Sequence, residues 1–232
     1  DIVFNDLYPH HGDSGTPYDH LTHGRNSPLP NAVNAMMVGV FEHVFPGPRY
    51  FCARAEFRVS PQKVVSGSVE NILITFGGTD PNNFTRKTLQ AIDCTGFKIE
   101  VILGLGYDPE WEDELRTAYP DVPIRRNVKN MAKKILEADL VFTSAGRTVY
   151  EIACIGTPGI VMAQNKRELS HYWANEENGF LNLGLGNNVE PDEIAANLQR
   201  ILEDAAFYRQ LSEKMLSHDL RTGINRVIGL IL

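Results

Sequence analysis

From residue 71 onward, short continuous apolar runs alternate with amphipathic ones. Residues 71–76, 97–103, 122–125, 140–142 and 158–163 read as five strands. Several lack the polar–apolar alternation of a half-exposed strand, as expected when a parallel strand is buried on both faces. Between them, residues 84–92, 111–118 and 131–138 read as helices, the last with Met131, Ile135 and Ala138 on one face. The helix after Phe142 is expected to stop at Gly156, which tolerates a left-handed backbone. Further helices are expected over 171–178, closed by Gly179, and over 191–203, opened by Pro191-Asp192-Glu193. Two more follow over 207–218 and 217–232. This alternation predicts an α/β fold: a parallel sheet with helices on both faces. In such folds ligands bind where strands end.

The first third has no such rhythm. Residues 1–8 read as a strand ending at Asn5-Asp6, and 9–30 as a long loop rich in Gly, Pro, His and Asp. Residues 33–45 fit a helix or a strand pair, and Pro46-Gly47-Pro48 is a firm break. Residues 49–54 look like a short strand or an extended linker, and the polar stretch 60–68 like a domain boundary. The expected organisation is therefore an amino-terminal remnant with its connecting segment (1–59), a main domain (60–216) and a carboxyl-terminal helix (217–232). The chain opens on Asp1 without Met and without a charged leader, so an upstream part of the same protein is expected to be missing.

Composition narrows the chemistry. The 232 residues carry a formal net charge of −7, which argues against a nucleic-acid binder. Arg125-Arg126, Lys129 and Lys133-Lys134 form a basic run, read as a solvated face or as a receiver of phosphate. Cys52, Cys94 and Cys154 form no C-x-x-C pair and read as buried free thiols in a reducing cytoplasm. No apolar run approaches the roughly 20 residues that span a bilayer. Loop histidines His10, His11, His20 and His23 lie near Asp6, Asp13 and Asp19, but their spacing matches no zinc pattern, and neither a metal nor another cofactor is expected.

Two turns of small residues stand out, each between an expected strand and a helix. One is Gly77-Gly78-Thr79-Asp80; the other is Thr143-Ser144-Ala145-Gly146. Their lack of bulk lets a ligand approach the backbone, and the helix that follows points unpaired N–H groups at the same space. The same turns also serve as bare strand–helix connections. Glu151 lies close enough to meet the far end of a nucleotide. Gly77-Gly78 is no Walker A motif, since no Lys follows in place. Gly104-Leu105-Gly106 and Gly184-Leu185-Gly186 lack a third glycine at dinucleotide-site spacing. Gln164-Asn165 follows the fifth strand, where neutral amides suit sugar hydroxyls, or a capping pair. His171 reads as a helix-surface residue.

Taken in order, F-G-G-T-D-P-x-N (76–83), S-A-G-x-T-x-x-E (144–151), G-x-P (156–158) and Gln164-Asn165 resemble the carboxyl-terminal half of a GT-B nucleotide-sugar enzyme. More narrowly, they resemble the UDP-sugar hydrolase of pseudaminic acid biosynthesis. Related spore-coat-polysaccharide and sialic-acid-pathway proteins, predicted to be glycosyltransferases, are similar too. Residues 47–57 resemble that family's interdomain stretch, G-x-x-Y-x-x-x-R-x-E-F. The resemblance implies a GT-B-like fold: a Rossmann-like carboxyl-terminal domain with a parallel sheet, plus the tail of an amino-terminal one. It implies a UDP-sugar as partner. Gly77, Gly78 and Thr79 would face the diphosphate, with Ser144, Ala145, Gly146, Arg147 and Thr148. Glu151 would bind the ribose, and the backbone at Asn130 and Met131 the uracil edge. Gln164 and Asn165 would face the sugar, Asn165 at the reacting centre. Arg147 departs from the small or apolar residue usual there. The family's histidine base, in a Gly-rich loop of the amino-terminal domain, has no counterpart here, so this stretch alone is expected to turn over little substrate. The alternative is a non-catalytic nucleotide-sugar-binding or regulatory module.

Overall fold

The computed structural model describes residues 2–5 and 43–232. The histidine-bearing loop expected over 9–30, and most of 33–45, lie outside the described residues. Strands β1 (Ile2–Asn5) and β2 (His43–Pro46) form a small parallel pair, with Ile2 opposite His43. Residues 49–54 form no strand: they begin in a 3₁₀ turn (Pro48–Tyr50) and then run extended, as a linker would, into a short helix, α1 (Ala55–Val59). Pro48 at the first helical position suits such a turn, because its missing N–H has no partner to lose there.

The main sheet begins with β3 (Asn71–Ile74), followed by α2 (Phe84–Ala91), β4 (Lys98–Leu103), α3 (Pro109–Ala118) and β5 (Ile124–Arg126). The chain then crosses back through α4 (Met131–Glu137) to β6 (Leu140–Thr143). It continues through α5 (Thr148–Ile155), β7 (Gly159–Ala163), α6 (Lys166–Leu169) and β8 (Phe180–Leu185). Helices α7 (Pro191–Glu203), α8 (Ala205–Ser217) and α9 (Gly223–Ile231) complete it. The strand order is β5-β4-β3-β6-β7-β8, parallel throughout. Successive strands run outward from β3 in one direction and then, from β6, in the other. This is the doubly wound order of a Rossmann-like domain, and its switch point lies between β3 and β6.

Period-two alternation sorts the strand side chains between two cores. Ile72 and Ile74 of β3 and Phe142 of β6 join Phe84, Leu89, Leu115, Ile194 and Leu198 on one face. Leu73 and Val141 point the other way, to Ala132, Ile135, Val149, Tyr150 and Phe57. Burying one large aliphatic or aromatic side chain contributes roughly 1.5–3 kcal/mol. Strands lined on both faces must therefore be apolar throughout, which is why they were legible. Gly156 closes α5 at φ +88°, as its position suggested.

Two expectations along this stretch are overturned. Residues 171–178 are not one helix: α6 ends at Leu169, turns follow, and a 3₁₀ turn (Glu176–Asn178) closes at Gly179 with φ +93°. The reason is local hydrogen bonding. Asn175 accepts from the Asn178 N–H and donates to the Tyr172 carbonyl, and Asn178 donates to the Trp173 carbonyl. These contacts displace the i→i−4 ladder. The sixth strand, β8, was not expected at all. The last helix begins only at Gly223, with 218–222 non-helical. Among the thiols Cys154 is buried, but Cys94 is only partly covered and Cys52 is exposed, against expectation. No helix among the described residues is long and apolar enough to cross a membrane.

Candidate functional site

Beside the switch point, at the carboxyl ends of the strands, lies a cavity of about 220 Å³. Gly77 and Gly78 line it after β3, Ile102 to Leu105 at the end of β4, and Asn127 and Val128 after β5. Met131 of α4, Thr148 and Glu151 of α5, and Arg54 close it. Five residues singled out from sequence, Gly77, Gly78, Met131, Thr148 and Glu151, thus share one wall-to-wall space.

The first turn is shaped by close backbone approach. Gly77 sits at φ +86°, where a side chain is strained, and a Cβ there would point between the hydroxyls of Ser144 and Thr148, 3.9 Å from each. The two small-residue turns therefore face one another. Gly104 explains its own lack of side chain: a Cβ would lie 2.3 Å from the carbonyl oxygens of Gly77 and Gly78. A Cβ on Gly106 would meet Thr79 at 2.6 Å, and the Gly106 N–H donates to the Gly78 carbonyl at 3.0 Å. The Gly104-Leu105-Gly106 pair, unassigned in the sequence, is the seat on which this turn rests. Asp80 then anchors the start of α2. Its carboxylate accepts from the Phe84 and Thr85 N–H groups, the Thr85 hydroxyl and the Gln164 amide, all within 2.9 Å.

The second turn is buried and is held by a residue that sequence reasoning passed over. Ser144 and Ala145 are covered, and the half-buried Glu168 carboxylate accepts from the N–H groups of Gln164 (2.8 Å) and Ala145. Burial pushes the Glu168 carboxyl up, against the pull of those two amides. A Cβ on Gly146 would lie 3.4 Å from this carboxylate. His171 is not on a helix surface: it is 7 % exposed, and its Nδ1 lies 2.9 Å from the Ala145 carbonyl. A carbonyl only accepts, so Nδ1 carries the proton. The turn is thus gripped from both sides, and no pattern of spacing would have announced it.

Helix α5 opens at Arg147 without a side-chain cap, unlike α2, α3 and α4. Its first-turn N–H groups carry the partial positive charge of a helix start. Asn130 caps α4 by accepting from the Lys133 N–H at 2.9 Å. Thr79 is exposed outside the cavity lining. The Arg147 guanidinium stands 5.0 Å from the Phe51 ring centroid.

Gln164 and Asn165 lie after β7, outside the cavity lining. The Gln164 side chain is 6 % exposed and committed internally, donating to Asp80 and accepting from Asn82 at 2.8 Å. It ties the first turn to the β7 loop. Exposed Asn165 caps α6 through Oδ1. The basic run is largely ion-paired: Arg125 and Lys134 to Glu100, and Arg126 to Glu112.

Glu151 is joined by a residue not singled out as a ligand contact. Arg54 Nε and Nη2 donate to its two carboxylate oxygens at 2.8 and 3.2 Å. The Arg54 side chain is 56 % exposed. A pair this open contributes under about 1 kcal/mol to stability, so its geometry matters more than its energy.

Comparison with known proteins agrees with this architecture. No family model matches the chain. An uncharacterized protein of Methanocaldococcus jannaschii is 36% identical over 140 residues, 55% of this chain and 28% of that protein. The spore coat polysaccharide biosynthesis protein SpsG of Bacillus subtilis is 25% identical over 166 residues, 68% of this chain and 49% of its own length. The chain thus spans half or less of the curated relatives it matches. Among solved structures, MurG of Acinetobacter baumannii superimposes with a TM-score of 0.61 at 15% identity, covering 87% of this chain and 70% of MurG. HepE of Anabaena, solved with UDP and glucose, superimposes at 0.55 and 13% identity, over 79% of this chain and 53% of HepE. The fold is GT-B-like.

Proposed function

We propose that this chain is the nucleotide-binding part of a UDP-sugar-using hydrolase or glycosyltransferase of surface-glycan biosynthesis, acting in the cytoplasm on a nonulosonic acid or polysaccharide precursor. One observation carries the reading. Two backbone glycines, the first turn of a side-chain-uncapped helix and a carboxylate line a single cavity beside the switch point of a doubly wound sheet. The glycines and the start of α5 suit a diphosphate. Glu151 suits a ribose diol, and the apolar side chains of Ile102, Val128 and Met131 suit a flat base, read at its edge by the backbone beside Asn130. Asn165 would stand toward the sugar. The likeness to SpsG supports a role in polysaccharide synthesis, and the UDP bound to HepE supports the nucleotide.

In this reading the bond that breaks joins the anomeric carbon to the β-phosphate oxygen. Water or an acceptor hydroxyl attacks carbon, and the UDP leaving group takes the electron pair. Fixed N–H donors stabilise that developing charge without reorganising. The pseudaminic- and sialic-acid pathways are the narrower assignments suggested by the motifs.

The test is ligand-dependent melting. At a hundredfold excess over Kd, a ligand specific for the folded state adds about 2.7 kcal/mol. For a chain of this size that is roughly 5–10 °C in Tm. UDP should produce such a shift, and ADP and NAD much less. Equal shifts for the three, or none with UDP, overturn the reading.

A further inference from the structure

We propose that Thr75 is a ligand-binding residue of this cavity, its hydroxyl donating to a phosphate oxygen of the bound nucleotide. The inference rests on the nucleotide reading above and adds to it a side-chain donor at the end of β3.

Thr75 breaks the pattern of its strand. Ile72, Leu73 and Ile74 before it are apolar and buried, as a strand covered on both faces requires. Pairing with β6 continues one residue past the end of β3, where the Thr75 N–H donates to the Phe142 carbonyl at 2.9 Å. Alternation then puts the Thr75 side chain on the face of Leu73, toward α4 and α5. It is 3 % exposed there, and a valine would fill the same shape with a methyl group in place of the hydroxyl. Burying the hydroxyl is unfavourable unless something bonds it.

Within the protein nothing does, among the described residues. At the end of β6 the Thr143 Oγ1 is likewise unpartnered, but it is sealed from solvent. The Thr75 hydroxyl is not sealed: Thr75 lines the cavity, and that is where its hydroxyl opens. Two more hydroxyls converge on the same space. A Cβ on Gly77 would lie 3.9 Å from Ser144 Oγ and 3.9 Å from Thr148 Oγ1. These two also lack hydrogen-bond partners among the described residues, although Ser144 is only 4 % exposed.

The count of donors selects the ligand. Each hydroxyl brings one O–H, and the first turn of α5 adds N–H groups. The carboxylate that lines the cavity, Glu151, already accepts from Arg54 on both oxygens. Donors are thus in excess, and the complementary ligand is rich in acceptors and brings few protons of its own. A phosphate ester meets that description; a further sugar hydroxyl would add another O–H to satisfy. Hydrogen bonds to an ionised oxygen are also the stronger class.

The test is calorimetric titration of the 232-residue chain with UDP and uridine, alongside thermal melting. Thr75→Val keeps the shape and removes the donor. It should weaken UDP by about tenfold or more and uridine by less than about twofold, as the loss of one hydrogen bond to a charged group implies. Its Tm should equal or exceed that of wild type, because no protein partner is stranded and a buried polar group is gone. Thr75→Ser restores the hydroxyl and should recover most of the UDP affinity. Equal losses for UDP and uridine would put the hydroxyl on the nucleoside and overturn the proposal. So would a fall in Tm with Thr75→Val, which would make the hydroxyl structural. If wild type binds UDP and Thr75→Val binds it equally well, this inference fails alone. If wild type binds no UDP, it fails together with the function proposed above.

Discussion

The two small-residue turns at the centre of the molecule look alike in sequence and are built on different principles. The turn after β3 is shaped by backbone against backbone: Gly77 has positive φ, and Gly104 and Gly106 leave no room for a Cβ beneath it. The turn after β6 is shaped by polar side chains, Glu168 on its N–H and His171 on its carbonyl. A steric seat admits no side chain but is indifferent to charge. A hydrogen-bonded seat tolerates a small side chain and titrates. The first turn should therefore fail through volume and the second through loss of the Glu168 proton.

The largest effect should come from the seat itself. Gly104→Ala places a methyl group 2.3 Å from two carbonyl oxygens that belong to backbone and cannot swing aside. Overpacking of this kind costs about 3 kcal/mol, and the Gly77-Gly78 turn has to move. Urea unfolding should show the loss in stability, and UDP affinity should fall with it. A variant as stable as wild type would mean that the turn is not seated on Gly104.

Next in size is the contrast between the turns as ligand cradles. A Cβ on Gly78 meets nothing within 4 Å and enters open space beside the cavity, whereas one on Gly146 approaches only Glu168 and Ser144. Neither glycine has positive φ, so Gly78→Val and Gly146→Val should each keep the fold to within roughly 1–2 kcal/mol. Both should weaken UDP by about tenfold or more and uridine far less, because the isopropyl group displaces a phosphate from backbone donors of a helix start. Loss at Gly78 alone would move the diphosphate to the first turn. Loss of uridine and UDP in equal measure at both would remove phosphate from this region.

The smallest effect separates the turns by pH. Burial raises the Glu168 carboxyl above its ordinary value, so the folded state favours the protonated form. The stability it contributes is full below the unfolded-state pKa, near 4.5, and is lost as pH rises through the higher folded value. Chemical unfolding between pH 4 and pH 7 should show a gentle decline attributable to Glu168, absent in Glu168→Gln. An identical slope in that variant would assign the titration elsewhere.

Much of this was legible in the chain. β3, β4, β6 and β7 announced themselves as apolar runs because a parallel strand between two helical layers has no polar face. Gly156 announced the end of α5 because its position required a left-handed residue. β8, written FLNLGL, did not announce itself. Asn182 and Gly184 interrupt its apolar pattern, and as an edge strand it buries only part of its length. The helix expected over 171–178 failed because Asn175 and Asn178 had nearer backbone partners than a helical ladder.

Sequence by itself determined the layers, the parallel sense of the sheet and the two small-residue turns. These follow from local composition and period, which are properties of neighbouring residues. Only the tertiary structure decided what stands against those turns. Arg54 reaches Glu151 across 97 residues, and Gln164 reaches Asp80 across 84. Glu168 meets Ala145 from helix α6, and Gly104 supports Gly77 from just past the end of β4. Such pairs leave no periodic trace. A hydrogen bond or a steric seat depends on where the sheet order places two strand ends, and that order is a property of the whole fold.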